Sequence, residues 1–185
     1  MNIEEIVNIP IKENGERLMK IPVTEKIAIG VSVEHYMAVH EEAHYARENV
    51  VARLQEAAGS LPTGYSLVVM DAYRTTEEQT GRLQTYKREL LRSGVDRSMV
   101  EQLHLAYTAS DTGVAPHTTG GAVNVTLALD GKQVEMGCSY GTVDARTPVK
   151  SRFLVGDEMH THRMLLKDVM ENAGFAGFDE KWWHY

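Results

Sequence analysis

The stretch APHTTGGAVNVTL, residues 115–127, decides how the fold of this chain is inferred from its sequence. A glycine pair is followed by a run rich in β-branched residues, which leads to the turn-forming pair Asp130-Gly131 and then to QVEMG. Extended segments on either side of an Asp-Gly pair are typical of a β-hairpin. We therefore predict an antiparallel hairpin in the second half of the chain.

Upstream of the hairpin, the sequence predicts three helices and one strand. Apolar residues at helical spacing, followed by a glycine, predict a helix over residues 33–58. YSLVVMDAYR, residues 65–74, has the pattern of a buried strand with polar groups at its end. Thr76 is a candidate N-cap for a second helix that ends near Gly94, and residues 96–107 are predicted to form a third.

Downstream, residues 138–155 are predicted to be irregular and residues 160–172 to form a helix that ends before Gly174. The terminal FDEKWWHY, residues 178–185, is predicted to form a strand. Helices mixed with antiparallel strands indicate the α+β class. With 185 residues, the chain is predicted to be a single domain, residues 1–185, with a small antiparallel sheet flanked by helices.

The composition limits the classes of partner. A formal net charge of -7 argues against nucleic acid and anionic membranes, which require a basic surface. No segment has the length of apolar sequence that a membrane span needs, and no signal peptide is recognised, so we expect a cytoplasmic protein. Cys138 is the only cysteine, which excludes an intrachain disulfide, and we interpret it as a packing residue. The oligomeric state is left open.

Two histidine motifs resemble metal sites but favour a structural interpretation. HEEAH, residues 40–44, has the spacing of a zinc-binding helix, but no third ligand follows at a suitable distance. His160 and His162 lie two residues apart at the start of a predicted helix, where their side chains diverge. We interpret both motifs as polar parts of helices.

A family resemblance adds to this reading. His117, Gly120, Ala122 and Asn124 are similar to the H-x-x-G-x-A-x-D signature of the D-alanyl-D-alanine dipeptidases, within the LAS group of metallopeptidases. Residues 71–74, DAYR, resemble the D-x-Y-R motif of that family. Three later segments resemble it in the same order: Met136-Gly137, the helix RMLLKDVMENAGF and the terminal WWHY. The resemblance covers residues 65–185 and implies the fold of that family.

The resemblance also implies a site. In the family, two histidines and an aspartate hold zinc, a glutamate acts as general acid/base, and an arginine stabilises the oxyanion. His117, His184 and Arg74 match these positions, whereas Asn124 stands at the aspartate and Lys181 at the glutamate. Tyr73 and either Trp182 or Trp183 are expected to line the pocket, with Asn124 and Arg74 contacting substrate.

The two differences from the family motif, Asn124 and Lys181, both make the charge of the pocket more positive. An ammonium about 5 Å from zinc would be repelled by roughly 6 to 7 kcal/mol at an effective dielectric near 20. A neutral amide is also a weaker ligand than a carboxylate. The changes at Asn124 and Lys181 are therefore consistent with loss of the metal. If zinc is retained, its ligands are expected to be His117, Asn124 and His184.

Our leading hypothesis is a diverged enzyme that acts on a small dipeptide-like or amino-acid-derived substrate. Acid/base or lysine chemistry would use Lys181, His117, His184 and Arg74 in place of ordinary zinc hydrolysis. A first alternative is a functional zinc dipeptidase in which a bulge aims Glu180 into the site as the base. A second alternative is a non-catalytic binding protein.

Overall fold

The structure, a computed structural model, describes residues 12–30, 44–100, 115–142, 144–154 and 156–185. Within these ranges the strands are β1 (Leu18–Lys20), β2 (Ile27–Ile29), β3 (Tyr45–Arg47), β4 (Tyr65–Asp71), β5 (Asn124–Leu129) and β6 (Lys132–Gln133). The helices are α1 (Glu48–Gly59), α2 (Thr76–Arg92) and α3 (Asp157–Asn172), and a 3-10 helix covers Pro116–Thr119. Residues 97–100 are also helical.

The main sheet has four strands in the order β2-β4-β5-β6, and β1 pairs with β3 in a separate ribbon. The predicted sheet is entirely antiparallel, whereas the observed one is mixed, because β2 runs parallel to β4. The chain therefore combines small sheets with helices, which agrees with the predicted α+β class. The sequence pattern does not distinguish β2 from a loop, because the strand is only three residues long.

The predicted hairpin is confirmed. β5 and β6 pair antiparallel, with Ala128 opposite Gln133 and Leu129 opposite Lys132. Asp130 and Gly131 connect them with φ angles of 50° and 78°. Two successive residues in the left-handed region form the type of turn that matches the twist of a hairpin, and aspartate and glycine tolerate this region well.

The first predicted helix begins later than the sequence indicated. Within the predicted range 33–58, residues 31–43 lie outside the described part of the chain, and residues 45–47 form β3 rather than helix. Helix α1 starts at Glu48. His44 has a 3-10 conformation and directly precedes β3, so it is not part of the predicted α-helix, and the other residues of the HEEAH motif lie outside the description. Of the predicted helix 96–107, only residues up to 100 are described.

The C-terminal helix α3 starts at Asp157, three residues before the predicted start. His162 is buried and its Nδ1 lies 3.0 Å from the carbonyl oxygen of Glu135, whereas His160 is exposed. The two rings therefore diverge, and the structural interpretation of this motif is consistent with the packing.

The prediction of a terminal strand is wrong. Residues 179–183 form turns, in which Lys181 N donates to the carbonyl oxygen of Phe178 and His184 N to that of Lys181. The last three residues pair with the start of β5 through an antiparallel bridge between Asn124 and His184, in which Val125 N donates to the carbonyl oxygen of Trp183. The aromatic residues gave a strand-like pattern because they are buried, although the backbone turns around them.

Burial on the two faces of β5 positions the site. Val125 and Leu127 are fully buried against a core that includes Leu54 of α1 and Leu166 of α3. Because side chains alternate along a strand, Asn124 and Thr126 lie on the opposite face. A register shift between Val69 and Asp71 pairs Asp71 with Asn124 and so brings two polar side chains together.

No helix in the described ranges is both long and apolar enough to cross a membrane.

Helix α2 provides a test of the local structure. Glu78 N donates to Thr75 Oγ1 at 3.1 Å, and Thr75 N donates to Glu78 Oε2 at 2.9 Å. This reciprocal pair is a capping box, so Thr75, and not the predicted Thr76, is the N-cap. We expect Thr75→Ala to lower the free energy of unfolding by about 1 kcal/mol. Thr76→Ala is the matched control, and urea denaturation is the measurement. An equal loss in both variants would contradict this assignment.

Candidate functional site

The site is built around one buried carboxylate at the end of β4. Asp71 is 2% exposed and accepts hydrogen bonds from Arg74 Nε and Arg82 Nη1, both at 3.0 Å, and from Ala72 N. Burial raises the pKa of this carboxyl, but the neighbouring Arg74, His117 and Arg82 outweigh it and hold the pKa at about 2. Asp71 is therefore ionised at neutral pH and offsets part of the positive charge around it.

His117 lies in the 3-10 helix that leads into β5. Its Nδ1 is 2.6 Å from the carbonyl oxygen of Ala72, and since a carbonyl only accepts, Nδ1 carries the proton. The amide of Arg74 donates to the carbonyl oxygen of His117. Burial, followed by the charge of Arg74, lowers the pKa of His117 to about 3. The ring is therefore neutral at physiological pH, with a lone pair on Nε2.

A chain of hydrogen bonds joins His184 to Asp71. Asn124 Nδ2 donates to Tyr140 Oη at 3.0 Å, which leaves Asn124 Oδ1 to accept from His184 Nδ1 at 2.8 Å. Tyr140 Oη in turn lies 3.4 Å from Asp71 Oδ2, a long contact. This network sets the tautomer of His184 with its proton on Nδ1. As in His117, the lone pair is then on Nε2.

The two imidazoles lie close together in a cationic environment. The ring centroids of His117 and His184 are 5.2 Å apart. Burial lowers the pKa of His184 well below its usual value, and repulsion from His117 once it is protonated, from Lys181 and from Arg74 adds to this effect. Both rings are therefore neutral bases rather than cations at physiological pH.

Lys181 lies in the turn that precedes His184. Its Nζ is 5.9 Å from the centroid of the Phe178 ring. Burial, and then the charge of Arg74, lower the pKa of Lys181 to about 8. At pH 7 the side chain is mostly an ammonium, and about one tenth of it is a free amine.

The structure brings together most of the predicted site residues. Arg74, His117, Asn124 and His184 are linked by the hydrogen bonds and ring contact above, and Lys181 lies near enough to Arg74 and His184 to influence pKa values. The Arg74 guanidinium is already held by Asp71 and, through Nη1, by Gln79 Oε1 at 2.8 Å.

The remaining predicted residues are placed differently. Trp183 is buried and packs its ring edge against Tyr140, with centroids 5.5 Å apart. Trp182 is also buried. Tyr73 is partly exposed and its amide donates to the carbonyl oxygen of Tyr45. Glu180, the base in the zinc dipeptidase alternative, is exposed. Residues 179–183 are turns, so the strand bulge that would aim Glu180 into the site does not occur.

Sequence reasoning missed three contributors to the network. Asp71 was visible in the DAYR motif, but its burial was not. Arg82 lies on helix α2, eleven residues after Asp71, and no local sequence pattern indicates that it contacts Asp71. Tyr140 lies in the irregular segment after β6 and is separated from Asp71 by 69 residues, so only the tertiary structure identifies it.

The donor set is not suited to zinc. Catalytic zinc sites normally use three protein ligands drawn from Cys, His and carboxylates. The described residues contain no cluster of three such side chains. The centre offers two imidazoles and an amide whose oxygen is bonded to His184, while Asp71 is engaged by two arginines. The residues present therefore fall one ligand short, beside an ammonium that would repel the ion.

The fold and the site define a mixed α+β domain whose polar centre combines two neutral imidazoles with buried cations. The family model of the D-Ala-D-Ala dipeptidases, Peptidase M15, matches residues 36–185. The chain therefore belongs to the D-Ala-D-Ala dipeptidase family.

Individual relatives agree with this assignment. The D-alanyl-D-alanine dipeptidase of Enterococcus faecium is 30% identical over 131 residues, and that of Enterococcus faecalis is 28% identical. Each match covers 66% of this chain and 62% of the relative, so the chain matches less than two thirds of the length of either. The D-alanyl-D-alanine dipeptidase of Synechocystis is 25% identical, with 96% of this chain and 84% of the relative covered.

Among solved structures, the chain is similar to a mutant of the vancomycin resistance D,D-pentapeptidase VanY from the VanB-type cassette, in complex with Zn(II). The TM-score is 0.49 at 19% identity, with 76% of this chain and 71% of the other covered.

The lowered pKa of the imidazoles makes stability depend on pH. His117 has a folded pKa of about 3, below its unfolded value near 6.5, so the unfolded state binds protons more readily. Stability is full above the unfolded pKa and is lost as the pH falls through the window between the two values. We expect a loss of about 1 kcal/mol from His117 between about pH 7.5 and pH 5.5.

Denaturation at these two pH values tests this expectation. The loss should be smaller in His117→Gln, which removes the buried ring, and unchanged in His160→Gln, which removes an exposed one on α3. An identical pH dependence in the wild type and His117→Gln would contradict the expectation.

Proposed function

We propose that this chain is an enzyme that acts on a small dipeptide-like or amino-acid-derived molecule through acid/base or lysine chemistry, in a site without zinc. Membership of the D-Ala-D-Ala dipeptidase family supports the substrate class. The observation that carries the proposal is the hydrogen bond between His184 Nδ1 and Asn124 Oδ1, within a network that ends at Asp71.

That hydrogen bond supports a site organised without metal. An amide oxygen and an imidazole nitrogen 2.8 Å apart stabilise each other directly, and Tyr140 holds the amide in this orientation. Asn124 Oδ1 and His184 Nδ1 could hold one metal ion together only if the proton on Nδ1 left and the hydrogen bond broke, so this arrangement opposes the ligand pair of which Asn124 would be part. The nearby Lys181 and Arg74 would further oppose the approach of a dication.

The positive charge of the site suits a carboxylate. Arg74 and Arg82 flank the buried anion Asp71, Lys181 lies near Arg74 and His184, and both imidazoles are neutral. The charge of Lys181 lies beside the proposed proton carrier His184. Lys181 is the proposed contact for the carboxylate of a dipeptide or amino acid, with the Arg74 charge adding to the attraction.

The neutral imidazoles supply the proton carriers. Nε2 of His117 or His184 would accept a proton from the ligand, and the resulting imidazolium would return it to a leaving group. Burial among cations makes the imidazolium unstable, so the proton would be held only briefly. The amine form of Lys181 offers a second route with an oxo-containing amino-acid derivative: it attacks the oxo carbon, the nitrogen loses its two protons, and the carbonyl oxygen leaves as water to give an imine.

The absence of a zinc requirement is tested by metal content. We expect protein purified without chelators or an affinity metal to hold no stoichiometric zinc by elemental mass spectrometry. The double variant Asn124→Asp/Lys181→Glu restores a carboxylate ligand and removes the ammonium, and should bind about one zinc per chain. Asn124→Asp alone, which keeps the ammonium, is the matched control. One tightly held zinc in the wild type would refute the proposal.

The role of Lys181 is tested by ligand binding. Lys181→Met should weaken the binding of D-Ala-D-Ala by about tenfold or more in calorimetry, because the charged hydrogen bond to the carboxylate is lost. Lys181→Arg keeps the charge and should retain part of the affinity. Glu180→Gln, at the adjacent exposed position, should bind normally. Equal affinity in all four proteins would argue against the carboxylate contact, and binding without any turnover would favour the non-catalytic alternative.

A further inference from the structure

A cavity of about 520 Å³ lies beside the hydrogen-bond network. Tyr140 lines it and also bonds Asn124 and Asp71 through its hydroxyl. Thr126 lines it from the same face of β5 as Asn124, two residues away. Trp182, the residue after Lys181, forms another part of the wall. The cavity therefore adjoins the candidate site.

The cavity is larger than the volume that a dipeptide of two alanines would fill. Pockets of roughly 300 to 1,000 Å³ hold ligands of drug size. Two alanine residues, each with a methyl side chain, would leave most of this volume to water. A ligand with a larger side chain would displace that water and gain from the burial of apolar surface.

The residues that line the cavity are apolar where it is most buried and polar at its exposed edge. Met136 and Trp182 are 3% exposed and Met70 is 7% exposed, which gives the cavity an apolar base. Gln133 and Ser139 are exposed and form part of a polar rim. This gradient suits an apolar side chain that enters from a polar peptide backbone.

We propose that this cavity is a subsite for an apolar side chain larger than methyl, carried by a dipeptide-like ligand whose carboxylate lies near Lys181. The inference rests on the proposed function, because the carboxylate contact orients the ligand. It adds that the preferred substrates contain a bulky residue in place of one alanine.

Cys138 is a natural reporter for this subsite. It lines the cavity, is partly exposed, and is the only cysteine of the sequence. The alkylation rate of the intact chain with monobromobimane therefore reports on one position. Cys138→Ser should abolish the label and so establish where it attaches.

The experiment compares D-Ala-D-Ala with D-Phe-D-Ala and D-Ala-D-Phe. At least one phenylalanine dipeptide should bind about tenfold more tightly than D-Ala-D-Ala in calorimetry. At saturation it should also slow the alkylation of Cys138, whereas D-Ala-D-Ala should not. Thr142→Tyr fills the cavity and should remove this gain without altering the affinity for D-Ala-D-Ala. Thr63→Tyr, at an exposed position outside the lining, is the matched control.

The outcomes separate this inference from the proposed function. If D-Ala-D-Ala binds but the phenylalanine dipeptides bind no more tightly and leave Cys138 unprotected, the subsite is refuted and the proposed function stands. If Thr142→Tyr retains the full preference, the subsite is also refuted. If none of the three dipeptides binds, both proposals fail together.

Discussion

The rest of the site depends on the burial of the Asp71 carboxylate between two guanidinium groups. A buried charge is strongly destabilising unless it is paired and hydrogen-bonded, and Asp71 satisfies this condition through Arg74, Arg82 and the amide of Ala72. The neighbouring backbone then holds His117 from two sides, because Ala72 accepts from its ring and Arg74 donates to its carbonyl. A change at Asp71 would therefore disturb groups that do not touch it.

Burial also decides the chemical character of the pocket. In water the two imidazoles would be partly protonated near neutral pH, and the lysine would be fully charged. In the folded chain the low dielectric and the mutual repulsion of cations lower all three pKa values. The pocket thus combines positive charge on the arginines and on a mostly protonated Lys181 with two uncharged imidazoles. This combination attracts anions and keeps lone pairs available to react.

Sequence reasoning succeeded where a local pattern specifies the structure. The Asp130-Gly131 turn identified the hairpin. It failed where tertiary contacts override local pattern. The β-ribbon at residues 45–47 interrupts a helical periodicity, and buried tryptophans imitate a strand where the backbone turns. Arg82 and Tyr140 could not be found at all, since their partner is distant along the chain. Whether the chain is a single domain, and the role of each site residue, stay predictions.

The hydrogen-bond network has a consequence for how the chain assembles. Its links join residues 60 and 69 positions apart, and no single helix or hairpin contains more than a part of it. Closing such long loops costs conformational entropy before the contacts stabilise the chain. These hydrogen bonds therefore form late, after the local helices and strands. A proteolytic fragment that keeps the hairpin but loses β4 would lack the Asp71 acceptor, and one that loses the terminal turn would lack the His184 donor, so neither fragment could complete the network. Affinity for an anionic ligand is therefore a sensitive measure of complete folding in this protein.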